Sequence, residues 1–455
     1  MRLLLQLLPF FVKPLLAHGD LGQAAICGLR DPLIAPGDSV CLADSISQGV
    51  SDGDDASPRQ HVWTHSSPCF QGGHAEQPIC AFTDTTFADG RGISLVTTPK
   101  RATYLASTLA FTNPETVSGI NQDLHRTVPP KYEMRQIPGK GMGLIATSHI
   151  YRGDRIMANT GSLFIDYRAF NELSKTQYTT LQSIAVSNLP ALHAAALLAL
   201  SPHTTNTSHL TREELVEAIA ATNGFDIDPD ADDPDQHHSF FVLFPEIARM
   251  NHDCRPNAEY RYDPAQLAQY IHAARDIQPG EEITLSYINS LMVRSLRVGR
   301  LNKNWGFECS CPLCSLEEAR ARESDARIEQ IGEIKRELEV WGDEGGSPGR
   351  SGRACTGMAE LLVSLYEMEK LYGLMHEAYT LAALEYNGVG DAWTAIKYAR
   401  LGLEYGLPML GEGDEDVEAL RQFVKNPWQH WTWRRRLMGE GEEKAEGEGE
   451  DKGED

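Results

Sequence analysis

A chain of 455 residues is longer than one ordinary domain and predicts two to three units. Hydrophobic residues at 41% and charged residues at 23% are the make-up of a globular protein, and no apolar run approaches the ~20 residues a bilayer span requires, so no membrane span is expected. The formal net charge is −23, of which residues 439–455 carry −7 and leave −16; this argues against the basic face that direct nucleic-acid binding needs, and suits either a basic protein partner or solubility alone.

In chain order, residues 1–12 (MRLLLQLLPFFV) place one basic residue before an apolar stretch, with small residues at Ala17, Ala24 and Ala25. That is the outline of a signal peptide over about 1–25, which Lys13 and two prolines blur; a frayed N-terminus is the competing reading. Cys27, Cys41, Cys69 and Cys80 follow, even in number and widely spaced as in a disulfide framework, with three pairings open. Asn206-Thr207-Ser208 has the glycosylation acceptor pattern, which is common by chance. Residues 26–130, rich in Gly, Ser, Thr, Asp and Pro, form a region of unknown function with β-like runs at Ile93–Thr97 and 104–111.

From residue 131 the texture tightens. Tyr132–Ile137 reads as a strand, 138–143 as a glycine turn, 144–146 as the next strand and 156–158 as a short apolar run. Residues 166–225 have helical spacing, with a capping box at Thr211 and Glu214 ahead of Leu215, Ile219 and Ala220. An acidic loop (226–238) leads to strand-like runs at 259–262, 270–274 and 282–288, the last after a Pro-Gly turn. Residues 316–341 read as a charged helix and 342–354 as a flexible linker. Residues 358–372, 375–386 and 392–405 read as stacked antiparallel helices, either tetratricopeptide-like or a plain bundle, and the acidic tail 439–455 as disordered.

The residues that carry chemistry lie in the middle of the chain. Cys309, Cys311 and Cys314 form C-x-C-x-x-C, three thiols that can converge on a tetrahedral ion at ~2.3 Å. Cys254 is the nearest candidate for a fourth ligand, and such a closed site would be structural; a redox dithiol is the competing reading. Asn251 and His252 stand beside Cys254, where a hydrogen-bonded structural pair is the plainer alternative. Gly139-Lys140-Gly141-Met142-Gly143 lets backbone approach a ligand closely, although a lone G-x-G is a weak signal. Tyr287 ends a strand, where it could be only a packed aromatic.

Their order is more telling than any one of them. Gly141-Met142-Gly143, then Asn251-His252-x-Cys254-x-Pro256-Asn257, then Gly280-Glu281-Glu282-Ile283-Thr284-Leu285-Ser286-Tyr287, then Phe307-x-Cys309-x-Cys311-x-x-Cys314 resembles the SET methyltransferase family, over about two fifths of the chain. The resemblance implies an α+β fold: a β-clip SET domain (131–288) with a pseudoknot and a helical insertion at about 160–240. A zinc segment (300–316) and an all-α, TPR-like region (317–438) would follow it. It implies S-adenosyl-L-methionine as methyl donor and a protein substrate with an exposed lysine, a histone or another basic protein. Carried over, Lys140, Gly141, Met142 and Gly143 would lie along the cofactor, and Asn251 and His252 would hold its amino-acid and adenine parts. Tyr287 would be catalytic and touch the cofactor, Phe307 would cover the adenine or line the lysine channel, and Cys254, Cys309, Cys311 and Cys314 would bind zinc.

The subtype resembled is the SET-and-MYND group, through Ser286 before Tyr287, the insertion and the helical C-terminal region. The chain departs from that group in having no seven-cysteine, one-histidine finger, and is more similar to fungal SET-domain proteins without one. A catalytically silent SET scaffold that binds a protein through its C-terminal helices is the alternative. Zinc thiolates and the cofactor suit nucleus or cytoplasm; the N-terminal segment and its cysteines suit the secretory pathway.

Overall fold

The computed structural model describes residues 40–42, 62–65, 68–73, 77–121, 130–202, 207–227, 239–341 and 355–437. The signal-peptide segment, Cys27, Asn206, most of the acidic loop, the linker 342–354 and the acidic tail lie outside the described residues.

In chain order the strands are β1 (Val40–Leu42), β2 (Pro68–Phe70), β3 (Ile79–Asp84), β4 (Ile93–Thr97), β5 (Tyr132–Ile137), β6 (Gly141–Ala146), β7 (Arg155–Thr160), β8 (Leu163–Asp166), β9 (Phe225–Ile227), β10 (Phe240–Leu243), β11 (Asn251–His252), β12 (Ala258–Asp263), β13 (Ala268–Ala273) and β14 (Glu282–Leu285). They form a seven-stranded sheet in the order β1-β2-β3-β4-β8-β10-β9, a four-stranded sheet β11-β14-β6-β5 and a three-stranded sheet β12-β13-β7.

Every residue of β3 and β4 is buried, as expected of strands covered on both faces. Period-two alternation divides their side chains between two cores. Ile79, Ala81 and Val96 join Leu163 and Ile165 against the helices of the insertion, through Leu181, Val186, Val216 and Ile219. Phe82, Ile93 and Leu95 join Phe164 and Phe240 in the opposite core, with Leu144, Met157 and Ile271. Residues 79–97, whose function is illegible in sequence, therefore share one sheet and two cores with strands 163–166 and 240–243. A disulfide joins Cys69 to Cys80 across β2 and β3. The backbone of Cys41 lies in register with Cys69 on the neighbouring strand.

The helices are α1 (Pro99–Ala106), α2 (Leu109–Thr112), α3 (Tyr167–Glu172), α4 (Lys175–Asn188), α5 (Ala191–Leu198), α6 (Arg212–Asn223), α7 (Arg294–Trp305), α8 (Glu318–Glu339), α9 (Thr356–Met368), α10 (Met375–Gly388), α11 (Ala392–Leu410) and α12 (Glu415–Lys425). The capping box expected at Thr211 and Glu214 is present at the start of α6. The β-like run expected at 104–111 is instead helical, across α1 and α2. Thr98 accepts the Arg101 N–H and Pro99 occupies the first helical position, so a helix start overrides the apolar run. The glycine turn expected over 138–143 is shorter, because Gly141–Ala146 is strand; Gly141, at φ +78°, still pairs with Ile137. Helices α8 to α10 bury a third core around Ile331, Leu338, Leu362, Tyr366 and Ala378. The architecture is α+β with a helical C-terminal region. Among the described residues no helix is long and apolar enough to cross a membrane.

Candidate active site

The site forms where two distant segments run side by side. β11 pairs in parallel with β14, Asn251 opposite Thr284 and His252 opposite Leu285. Asn257 extends the join: its amide donates to the Glu282 carbonyl at 2.8 Å and its side-chain oxygen accepts the Thr284 N–H at 2.9 Å. β14 also pairs with β6, so the glycine strand, the Asn-His segment and the strand leading to Tyr287 occupy one small sheet.

Asn251 donates its amide to Glu282 Oε1 at 2.8 Å and to the Met142 carbonyl at 3.3 Å. This approach needs a glycine at 143. A Cβ there would stand 2.7 Å from Asn251 Nδ2, 2.7 Å from Ile137 and 3.0 Å from Glu282 Oε1. Gly139 and Gly141 both have positive φ, which fixes the turn that presents Lys140. Lys140 Nζ reaches Glu282 Oε2 at 2.8 Å, so one carboxylate organises both Lys140 and Asn251. Sequence reading quoted Glu282 within a motif but gave it no role.

His252 is buried, and desolvation lowers its pKa to about 4, so the ring is neutral. Its Nδ1 accepts the Tyr287 backbone N–H at 3.0 Å. Nε2 therefore carries the hydrogen and points it at Cys254 Sγ, 3.2 Å away. The side chain thus links the Tyr287 backbone to the cysteine cluster.

Tyr287 lies just past the end of β14 and donates its hydroxyl to the Met250 carbonyl at 2.7 Å. Burial pushes that hydroxyl above the ordinary phenol range, with the Glu282 charge adding to the effect. Around it Trp305 stands at 5.4 Å between ring centroids and Phe307 at 6.5 Å, nearly perpendicular. Trp305 was missed from sequence; its position two residues before Phe307, ahead of the left-handed Gly306 that ends α7, was the available signal. Its indole N–H donates to the Thr222 carbonyl at 3.0 Å, tying the aromatic wall to the insertion.

The four cysteines converge. The sulfurs of Cys254, Cys309, Cys311 and Cys314 all lie within 4.8 Å of one another, Cys254 standing 3.5 Å from Cys314 and 4.0 Å from Cys309. Tetrahedral ligands at ~2.3 Å from an ion would be about 3.8 Å apart. The donor set therefore fits zinc, with no position left open. The packed sulfurs also split in acidity. Cys254 is pushed well above the usual thiol range, chiefly by its contact with Cys309, while contact with Cys254 lowers Cys311 to about 5. The Cys314 N–H points at Cys311 Sγ at 3.4 Å and so orients that sulfur toward the cluster.

Comparison with known proteins agrees with this geometry. The family model described as SET domain matches residues 141–288. Histone-lysine N-methyltransferase set5 of Schizosaccharomyces pombe is 28% identical over 306 residues, which cover 66% of this chain and 85% of that protein. N-lysine methyltransferase SMYD2 of Gallus gallus is 38% identical over 96 residues, 21% of each chain. Protein-lysine N-trimethyltransferase SMYD5 of Mus musculus is 31% identical over 160 residues, 34% of this chain and 36% of that one. The chain thus spans 85% of the length of set5 but only 21% of SMYD2 and 36% of SMYD5. The segment that matches the SET domain model, residues 141–288, holds the glycine strand, the Asn-His pair and Tyr287.

Proposed function

We propose that this chain is a protein-lysine methyltransferase that uses S-adenosyl-L-methionine, with a structural zinc on Cys254, Cys309, Cys311 and Cys314. The observation that carries the reading is the parallel pairing of Asn251-His252 with the strand ending at Tyr287, beside a glycine strand in close contact with Asn251. The catalytic unit is 131–288, with its insertion at about 160–240; 300–316 is the zinc segment and 317–438 the helical region.

The residues suit that chemistry. Bound S-adenosylmethionine supplies a methyl carbon on a sulfonium, open to in-line attack by a neutral lysine amine. The glycine strand 141–143 offers backbone groups without side chains to block approach. Lys140 and Glu282, a partly exposed ion pair of opposite charges, match the carboxylate and ammonium of an amino-acid end, and Asn251 bonds the other oxygen of the same Glu282 carboxylate. His252 holds the Tyr287 backbone. Tyr287, its hydroxyl fixed by the Met250 carbonyl, orients the amine. Tyr287, Trp305 and Phe307 give aromatic faces that favour the methylated ammonium. Zinc would fasten the Cys309–Cys314 segment, and with it Phe307 and Trp305, against Cys254. The substrate class is a protein with an exposed lysine, histones and other basic proteins being suited to a chain of net charge −23.

Incubating the zinc-loaded chain with methyl-labelled cofactor and a lysate, then identifying the labelled protein, tests this reading. Label on lysine side chains is expected. No label, together with a calorimetric null for the cofactor on folded protein, overturns it in favour of a silent scaffold.

A further inference from the structure

The zinc loop and the tyrosine are fastened to the C-terminal helices by one buried carboxylate. Arg255 follows Cys254, and its guanidinium donates to the Cys254 carbonyl at 2.8 Å and to the Ser290 carbonyl, three residues past Tyr287, at 2.9 Å. One side chain thereby bridges the thiolate ligand and the loop that leaves the tyrosine. Its counter-charge comes from 114 residues away: Arg255 Nη2 donates to Glu369 Oε2 at 2.8 Å, and Nε to the Glu369 carbonyl.

Glu369, in the turn after α9, has a side chain only 1% exposed. It also accepts Ser324 Oγ at 2.7 Å and Arg327 Nε at 2.7 Å, both from α8. The next residue on α8 continues the contact. Asp325 accepts the Arg294 N–H at 2.7 Å, and Arg294 Nη2 donates to the Cys314 carbonyl at 2.7 Å. Leu291 and Val293, from the loop after Tyr287, pack against the core of the C-terminal helices. The buried carboxylate fixes Arg255 above all, because that guanidinium is only 7% exposed and would be left a buried cation without its counter-charge.

We propose that Glu369, acting through Arg255, is a positioning residue for methyl transfer: the helical region sets the geometry of the thiolate cluster and Tyr287 through this contact. The proposal rests on the methyltransferase reading for its kinetic consequence and on geometry alone for its effect on the thiolates.

The test uses the full chain with Glu369→Gln, Arg255→Gln and the double variant. Arg152→Gln serves as control, since it loosens a different contact between the two regions, with Glu404 and Tyr405. Glu369→Gln should lower kcat about tenfold and leave KM for cofactor and for a protein substrate within about twofold. The double variant should be no worse than either single one. In cobalt-loaded protein the thiolate-site absorption bands should shift in Glu369→Gln and stay in place in Arg152→Gln, whose kcat should match wild type. Should Glu369→Gln not fold, Glu369→Asp keeps the charge with a shorter reach and should give an intermediate kcat and a smaller band shift. Folded Glu369 variants with wild-type kcat and cobalt spectrum, or an equal loss in Arg152→Gln, would overturn the proposal. If wild type transfers no methyl group, the functional reading fails on its own, and the cobalt spectra still decide whether Glu369 positions the thiolates.

Discussion

Replacing Gly143 by alanine probes the cofactor face of the site with one methyl group. Gly143 has ordinary backbone geometry, so the effect is steric. The new carbon would meet Asn251 Nδ2 and Ile137 Cγ1 at 2.7 Å and Glu282 Oε1 at 3.0 Å. Ile137 can rotate away, but Asn251 and Glu282 hold each other and can move only together. Overpacking of this kind costs about 1–3 kcal/mol, or a fall in Tm of roughly 2–12 °C for a unit of this size. Displacing Asn251 also strains its bonds to Met142 and Glu282 and moves a proposed cofactor contact; losing one charge-assisted bond of about 1.5–3 kcal/mol to the cofactor would weaken its binding roughly 10- to 150-fold. Thermal melts and calorimetric titration with the cofactor read the two effects separately. In the double variant Gly143→Ala with Asn251→Ala the amide is gone with its bonds, so the second substitution should cost little further affinity beyond Gly143→Ala. A Gly143→Ala protein with wild-type Tm and affinity would refute the reasoning.

Two further outcomes are expected. Metal analysis of purified protein should find about one zinc per chain, and Cys311→Ser should lose it and weaken cofactor binding at least about tenfold, because the segment carrying Phe307 is released; full cofactor affinity in the metal-free variant would contradict this. His193 gives a pH dependence. Its Nδ1–H donates to the Arg91 carbonyl at 2.7 Å and its Nε2 accepts the Ser162 hydroxyl, and burial holds its pKa near 4. The folded state binds this proton less readily than the unfolded chain, so the stability it gives is present above pH 6.5 and is lost as pH falls toward 4, by up to about 3 kcal/mol. The stability gap between wild type and His193→Gln, followed by urea melts, should accordingly be widest above pH 6.5 and close toward pH 4; a gap independent of pH would disprove the assignment.

The parts of this site legible in sequence are those whose signal is local. Three thiols within six residues announce themselves, and Tyr132–Ile137 and Ile93–Thr97 show as strands because their patterns are short and regular. Cys254 required a second segment to meet the first, which spacing cannot supply; the family resemblance proposed it, and its sulfur stands 3.5 Å from that of Cys314. Trp305, Glu282 and Glu369 went unread for the same reason, since each works through a partner at least 31 residues away, and the longest such reach, from Lys140 to Glu282, is 142. The role of β2 to β4 was opaque because their sheet continues from β4 into β8 and β10, which lie on the far side of the glycine strands in sequence. The run at 104–111 misled because apolar content without caps does not separate helix from strand.

The central claim is that Tyr287 serves methyl transfer to lysine in a site built by Asn251, His252 and the glycine strand. Its most direct test is mass spectrometry of a lysine-bearing protein substrate after incubation with S-adenosyl-L-methionine and either wild-type or Tyr287→Phe chain, both zinc-loaded and shown to bind the cofactor. The account predicts a 14 Da increment on lysine with wild type, as a methyl replaces a hydrogen (about one CH₂ in mass), and loss of at least about 100-fold in rate with Tyr287→Phe, the scale on which a positioned catalytic group acts. Undiminished transfer by Tyr287→Phe, or none by wild type on any lysine-bearing substrate, would contradict it.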